Sequence, residues 1–208
     1  IVGCGWFLSF SRNERRMPMP SYLTPAEALR GMLCGQLRWN LWLFMVRRTV
    51  YVEHDIRFIE GENVGEDMLV LIQLFAYARS IAFVERPLYQ KLNAQSITQL
   101  SEVEKMHRLS HNLNAAVRFL EGQFGADYGR EVNFFKLNAK MPLLITDDRE
   151  SHRLWAATFP EANRYIMQNR MQSLRMRLVQ WMAAKGQFWA VRAYYRLVFK
   201  FVYGILFK

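Results

Sequence analysis

The stretch GEDMLVLIQLFAYA, residues 65–78, constrains the fold of this chain more than any other part of the sequence. After two adjacent acids, a single glutamine interrupts an otherwise apolar run, which is typical of a helix buried in a protein core. Glu66 and Asp67 fall in the first turn of this helix, where the helix dipole favours carboxylates. The segment therefore predicts a core helix that carries two acids at its amino-terminal end.

The composition provides enough apolar residues for a core around that helix. The chain has 208 residues, of which 51% are hydrophobic and 14% aromatic, so a disordered chain is excluded and one large or two small domains are expected. Two cysteines, Cys4 and Cys34, form neither a disulfide framework nor a zinc-binding pattern, which favours a reducing, cytoplasmic setting. The opening IVGCGWFLSF lacks a basic segment before it and does not resemble a secretory signal, so we expect the chain to begin inside a domain.

The region 1–99 has the pattern of a mixed α/β structure. Thr24 is suited to cap a helix, with Pro25 at the first helical position and Glu27 completing a capping box. The segment RWNLWLFMV is expected to be extended or buried, and a short amphipathic piece follows it and ends near Phe58. The other elements predicted here are a strand over 2–10, a loop over 11–21, two short strands over 80–85 and 87–92 broken by Pro87, and a loop over 93–98.

From Ser101 onward the sequence has the periodicity of helices. Ser101 and Glu104 form a second capping box before apolar residues spaced three or four apart, and Gly122 and Gly125 end this helix. Pro142 and Pro160 interrupt the later helical segments. We therefore predict the α+β class, with a domain over 1–99 and a mainly helical region over 100–208.

The order of residues in the first region resembles the second half of the catalytic domain of family 2 glycosyltransferases, which have the GT-A fold and build bacterial polysaccharides. The resemblance covers roughly residues 1 to 99. Its motifs are a Trp-Asn pair, a phenylalanine before a glycine-bearing acidic loop, a Glu-Asp pair that opens a helix, and a Tyr followed by an Asn and a Ser-Ile-Thr loop. They correspond here to Trp39 and Asn40, Phe58, 61–65, Glu66 and Asp67, Tyr89, Asn93 and 96–98.

This resemblance implies an inverting transfer of a sugar from a nucleotide-sugar donor to a saccharide or lipid-linked acceptor. Asp67 would act as the base that removes the proton of the acceptor hydroxyl, and Glu66 would orient the acceptor. The glycines at 61 and 65 would allow the backbone to approach the sugar closely. Around these acids, the resemblance places Trp39, Asn40, Gly65, Lys91 and Asn93 in the substrate site.

Some of these residues have a second interpretation from local sequence. Glu66 and Asp67 also suit a simple helix cap, Lys91 and Asn93 either lie near the donor diphosphate or are ordinary loop residues, and Trp39 and Trp42 suit either the core or a surface that stacks on a sugar. Leu41 and Trp42 stand where the family has a lysine after Trp-Asn, which removes that cation.

The resemblance also implies parts that this sequence does not contain. The nucleotide pocket and an Asp-x-Asp motif that holds a divalent metal, Mn or Mg, would precede Ile1; the acids Asp147 and Asp148 are adjacent rather than spaced. We therefore expect the metal only in a complete enzyme and no transferase activity from these residues alone. His107 and His111 share a helical face but lack the glutamate of a zinc protease motif, so we expect surface histidines rather than a metal site.

Charge is concentrated at the carboxyl-terminal end. Residues after Glu161 include nine basic and no acidic side chains, whereas the residues up to Glu161 are nearly balanced. Arg192, Arg196 and Lys200 recur every four residues and interrupt the apolar stretch well short of the roughly 18 uncharged residues of a spanning helix. Trp189 and Tyr195 are expected to lie away from these cations, with Gly186 as a hinge, in the pattern of a helix that lies on an anionic membrane surface.

Other interpretations of the basic composition compete with membrane contact by an enzyme. The terminal helices could pack on the catalytic domain or on a second copy in a homodimer instead of a membrane. A nucleic-acid-binding protein is disfavoured, because the cations alternate with large apolar residues rather than forming a polar basic face. A non-enzymatic helical adaptor is the remaining alternative, and it would require no role for Asp67.

Overall fold

A computed structural model gives the fold, and it describes residues 1–9, 14–61, 63–92 and 101–198. The chain is an α+β protein, as the sequence predicted: the described residues up to 92 form strands and helices, and those from 101 form helices and short 3₁₀ segments. The elements of the first part are β1 Val2–Ser9, β2 Glu14–Met17, α1 Pro25–Leu33, β3 Phe44–Met45, α2 Arg48–Glu53, α3 Glu66–Tyr77 and β4 Ala82–Leu92.

The first strand lies at the centre of a small mixed sheet. β4 pairs with β1 in parallel along its whole length, from Val2 opposite Ala82 to Ser9 opposite Leu92. On the other side of β1, β3 pairs antiparallel with Val2 and Gly3, and β2 pairs antiparallel with Trp6 through Ser9. The sheet thus positions the segment before β3 next to the carboxyl-terminal half of β4.

The prediction of two short strands broken by Pro87 was wrong, because β4 runs through this proline without ending. Pro87 lies opposite Gly5, at the point where the register between β1 and β4 shifts. A proline lacks the N–H of a regular ladder and is tolerated at such an irregularity. The side chain of Arg16 donates to the carbonyl of Glu85 at 3.0 Å, so a side chain replaces part of the backbone pairing there.

The predicted loop over 11–21 contains a strand, β2, that local sequence did not indicate. Its pairing with β1 brings polar side chains together across the sheet: Ser9 Oγ donates to Glu14 Oε1 at 3.1 Å, and Gln90 Nε2 donates to Ser9 Oγ at 2.9 Å. The strand is mostly exposed and pairs with the carboxyl-terminal half of β1. Phe10 and residues 11–13 of the predicted strand and loop lie outside the described residues.

Helices α1 and α3 begin where the sequence predicted. At α1, Thr24 Oγ1 accepts from the Glu27 N–H at 3.2 Å, and Glu27 Oε2 accepts from the Thr24 N–H at 3.2 Å, which completes the capping box. Helix α3 lies in the core, with Leu71, Ile72 and Leu74 fully buried. The apolar run after Asp67 therefore becomes the central helix of the first part.

The second part consists of helices joined by 3₁₀ segments. Ser101 Oγ accepts from the Glu104 N–H at 3.1 Å, but the carboxylate of Glu104 pairs with Arg108 instead of closing the predicted capping box. Pro142 and Pro160 both lie within the first two residues of 3₁₀ segments, Met141–Leu144 and Pro160–Gln168. The helices are α4 Glu102–Phe124, α5 Gly129–Lys140, α6 Arg149–Ala157, α7 Leu174–Ala184 and α8 Phe188–Tyr195, with two further 3₁₀ segments, Leu41–Leu43 and Gly125–Tyr128.

One hydrophobic core joins the two parts of the chain. Buried residues of α1 and α3 pack in the same cluster as buried residues of α4 through α8. A buried lysine, Lys140, secures the end of α6 in this core: its Nζ donates to the Thr158 carbonyl at 2.7 Å and to Asn163 Oδ1 at 2.8 Å. The division into domains at residue 99 stays a prediction.

Gly186, with φ of +73°, separates α7 from α8, as predicted for the hinge. The predicted orientation of Trp189 was wrong: Trp189 is 69% exposed and shares the outer side of α8 with exposed Arg196, while Phe188 and Val191 face the core. The two residues are seven positions apart, about two helical turns, so they occupy the same face. Lys200 lies outside the described residues. Among the described helices, none combines the length and apolar character needed to cross a membrane.

Candidate functional site

The two predicted catalytic acids lie side by side at the start of α3. Gly65 precedes them at the N-cap position with φ of +80°, and both Glu66 and Asp67 are partly buried. Asp67 Oδ2 accepts a hydrogen bond from the backbone N–H of Leu41 at 3.1 Å. This bond fixes one carboxylate oxygen and joins the helix end to the segment that carries Trp39 and Asn40.

The second carboxylate oxygen of Asp67, Oδ1, differs from Oδ2 in its hydrogen bonding. Among the residues that the structure describes, no hydrogen-bond donor contacts Oδ1. Tyr51 of α2 is close enough to sense the charge: burial first, and the Asp67 carboxylate second, raise the pKa of its hydroxyl. Asp67 therefore combines an anchored oxygen, a position in the first turn of α3 and a neighbouring phenol.

The segment after α1 passes between the acids and the sheet. The carbonyl of Asn40 accepts from the Leu43 N–H at 3.0 Å and begins the 3₁₀ turn Leu41–Leu43. Trp39 packs edge to face on Phe135 of α5, with ring centroids 5.8 Å apart. Trp39 thus contacts the helical core, which matches its simpler sequence interpretation, whereas Asn40 marks the turn that presents the Leu41 N–H to Asp67.

Trp42 connects this turn to the end of β4. Its ring stacks on Tyr89, with centroids 4.4 Å apart, and meets Trp6 edge to face at 5.3 Å. Lys91 Nζ lies 5.5 Å from the centroid of Trp42. Lys91 therefore contacts the aromatic cluster formed by Trp6, Trp42 and Tyr89, and Trp42 directly follows Leu41 in the turn.

Gly65 has a packing role that sequence reasoning missed. A Cβ atom at this position would lie 2.2 Å from Cδ1 of Leu109 on α4, so any larger residue here requires the Leu109 side chain to move. Fully buried Asn112, one turn further along α4, donates from Nδ2 to the Val64 carbonyl at 2.9 Å. An asparagine among the apolar positions of α4 was the sequence signal for this contact.

A small apolar cavity of about 220 Å³ lies beneath Gly65. Trp39 and Gly65 form one wall, and α4 with the end of α5 forms the other; Glu102 and Lys105, paired at 2.8 Å, are its charged residues. Its remaining lining residues are Val64, Met68, Met106, Leu109, Ala139, Pro142 and Leu143. The cavity therefore suits an apolar group rather than a phosphate.

A wider groove of about 1000 Å³ lies elsewhere, between α1, α5 and residues 167–171. None of the predicted site residues that the structure describes lines it. Four of its five charged side chains make contacts within the fold: Glu27 closes the capping box, Arg30 lies over the ring of Tyr128 at 4.8 Å, and Arg130 pairs with Glu131 at 3.8 Å. We therefore do not assign the chemistry to this groove.

The remaining candidates add nothing to this site within the described part of the chain. Asn93 lies outside the described residues, so its predicted position near the donor has no structural account. His107 and His111 are exposed, and among the described residues no cluster of three metal-ligating side chains is present. Cys4 and Cys34 are free thiols, and burial raises the pKa of Cys34 to about 11, which leaves it an unreactive thiol at neutral pH.

A scan against protein-family models, a search of curated proteins and a search of solved structures found no match to this chain.

Proposed function

We propose that this chain is the acceptor-side part of an inverting glycosyltransferase of the GT-A type, with Asp67 as its general base. The observation that carries this proposal is the arrangement at the start of α3: Asp67 is held through Oδ2 by the Leu41 N–H, while its other oxygen has no donor among the described residues. A carboxylate fixed in this way is oriented without being neutralised. Lys91, whose Nζ lies 5.5 Å from the ring of Trp42 in the same turn as Leu41, supplies a cation beside this turn.

The proposed reaction uses Asp67 to accept one proton. The acceptor hydroxyl oxygen attacks the anomeric carbon, and the new carbon–oxygen bond forms on the face opposite the bond to the nucleotide diphosphate. That bond breaks with its electron pair on the departing diphosphate, and the hydroxyl proton moves to the carboxylate of Asp67. The stereochemistry at the anomeric carbon is therefore inverted.

The neighbouring residues have supporting roles in this proposal. Glu66 shares the first turn of α3 and would accept a hydrogen bond from an acceptor hydroxyl. Lys91 carries the positive charge that would attract the donor diphosphate, and Tyr89, which is 40% exposed, offers an aromatic surface to a sugar ring. Asn40 and Gly65 shape the turn and the loop on either side of Asp67.

The resemblance implies a donor-binding region with a divalent metal, Mn or Mg, that neutralises the leaving diphosphate. Glu66 and Asp67 have no third metal-ligating partner among the described residues, so we assign them no metal and derive no step through one. A nucleotide sugar would be supplied in the cytoplasm, and a lipid-linked acceptor would lie at the inner face of a membrane. We propose that setting for the enzyme.

The decisive experiment uses the protein encoded by the complete reading frame that includes these residues. Release of nucleotide diphosphate is measured with a panel of nucleotide sugars and lipid-linked acceptors. Asp67→Asn keeps an acceptor for the Leu41 N–H but removes the base, so turnover should fall by roughly 100-fold or more while nucleotide affinity is retained. Asp127→Asn, at an exposed acid of the 3₁₀ segment after α4, is the matched control and should leave turnover unchanged.

Two results would contradict the proposal. If Asp67→Asn transfers sugar at the original rate, the acid is only a helix cap and the non-enzymatic alternative gains support. If the variant instead loses nucleotide affinity with an unchanged rate at saturation, Asp67 belongs to the donor site rather than to the acceptor.

A further inference from the structure

Helix α7 is apolar on both of its sides. Val179 and Ala183 face the core and are nearly fully buried, with 2% and 3% exposure. Leu174, Leu178 and Trp181 lie on the opposite side and are 56%, 44% and 42% exposed. These three residues are four and three positions apart, so they form one continuous stripe along the helix.

Cations flank this outer stripe on α7. Arg175 and Lys185 are exposed near its two ends, and neither α7 nor α8 contains an acidic residue. The guanidinium of Arg175 lies 5.9 Å from the ring centroid of Tyr194, which keeps it beside the helix. Leucine and tryptophan next to basic residues is the pattern of a helix that lies at the boundary between lipid headgroups and acyl chains.

We propose that the outer face of α7, formed by Leu174, Leu178 and Trp181 with Arg175 and Lys185, docks on an anionic lipid surface. The apolar side chains enter the headgroup region and the two cations contact lipid phosphates. We assign the docking face to α7 rather than to α8. On α8, Trp189 is the one exposed aromatic side chain, and the other aromatic side chains of this helix are partly buried. This inference does not depend on sugar transfer.

A second copy of the chain suits this face less well. A two-fold symmetric contact through α7 would place Arg175 and Lys185 of one copy near the same residues of the other. With no acids on α7 or α8, these like charges would have no counter-charge on the paired helices. An anionic bilayer supplies both the apolar environment and the opposite charge.

Vesicle co-sedimentation of the full chain tests this proposal. Vesicles of phosphatidylcholine with about 30% phosphatidylserine should bind the protein, and vesicles of phosphatidylcholine alone should bind it several-fold less. About 0.5 M NaCl should weaken binding to the mixed vesicles. Leu178→Glu should weaken it by about tenfold, because a carboxylate enters the apolar stripe. Val52→Glu, at a 66% exposed position on α2, is the matched control and should bind normally.

A second variant keeps the test valid if Leu178→Glu disturbs folding. Lys185→Glu changes only an exposed charge after the end of α7 and should reduce binding to the mixed vesicles several-fold with an unchanged circular dichroism spectrum. Normal vesicle binding by both variants overturns the proposal. It is also overturned if the wild-type protein does not bind either vesicle and sediments as a dimer that Leu178→Glu converts to a monomer, since the stripe then pairs two copies.

Discussion

Replacing Gly65 by alanine tests how the loop before the acids is built. Gly65 has φ of +80°, and a Cβ there would lie 2.2 Å from Leu109 Cδ1. The left-handed backbone alone costs a non-glycine residue about 1–2 kcal/mol. The overlap must be relieved by Leu109, whose side chain is partly buried and borders the small cavity, so it can rotate at roughly 1 kcal/mol. We expect Gly65→Ala to lower the free energy of unfolding by about 2–3 kcal/mol.

Gly61→Ala separates the two contributions. Gly61 has φ of +83°, but a Cβ added there would meet nothing within 4 Å. This variant should therefore lose only the backbone contribution, about 1–2 kcal/mol. The difference between the two variants measures the contact between the loop and α4.

A double-mutant cycle with Leu109→Ala identifies the contacting side chain. Without Cδ1 and Cγ of Leu109, the nearest remaining neighbour given for the added Cβ is Asn112 Cβ at 3.7 Å, an ordinary contact. Gly65→Ala should then cost about 1 kcal/mol less in the Leu109→Ala background than in the wild type. Urea unfolding followed by circular dichroism gives all four free energies. Additivity within about 0.3 kcal/mol, or equal losses at Gly65 and Gly61, would refute the packing explanation.

Three further predictions concern charge and capping. Burial lowers the pKa of Lys140 to about 8, so between pH 8 and 10.5 the unfolded state binds more protons than the folded state. Across that range the free energy of unfolding of the wild type, relative to that of Lys140→Met, should rise by up to about 3 kcal/mol. Burial lowers the pKa of His152, so its imidazole binds more protons in the unfolded state than in the folded state. The free energy of unfolding should therefore fall as the pH drops below about 6.5, and His152→Phe should remove that fall. Thr24→Ala should destabilise the protein by about 1 kcal/mol in thermal or urea unfolding, because it removes the side chain that caps α1.

Each of these has a clear opposite result. A flat difference between wild type and Lys140→Met above pH 8 would mean that the ammonium is not desolvated. An acid transition that persists unchanged in His152→Phe would assign it to other groups. If Thr24→Ala unfolds like the wild type while Ser173→Ala, at the capped start of α7, does not, then α1 is held by tertiary contacts alone.

The parts of the candidate site that are local in sequence were predictable. Two acids before an apolar run determine a helix start, so Glu66 and Asp67 fell in the first turn of α3 as expected. The partner of Asp67, the Leu41 N–H, is separated by a long stretch of chain and could not be found from periodicity. The proximity of Lys91 to Trp42 likewise depends on how β4 pairs with β1.

The same division holds for the fold. The sequence by itself determined the starts of α1 and α4 and the break between α7 and α8, since the caps at Thr24 and Ser101 and the turn at Gly186 act within one turn of backbone. Only the tertiary structure decided that β4 continues through Pro87, that the Leu109 side chain packs closely against Gly65, and which side of α7 faces the core. Helix α7 shows the reason most directly: both of its sides are apolar, so periodicity favours neither, and the neighbouring elements determine which side is buried.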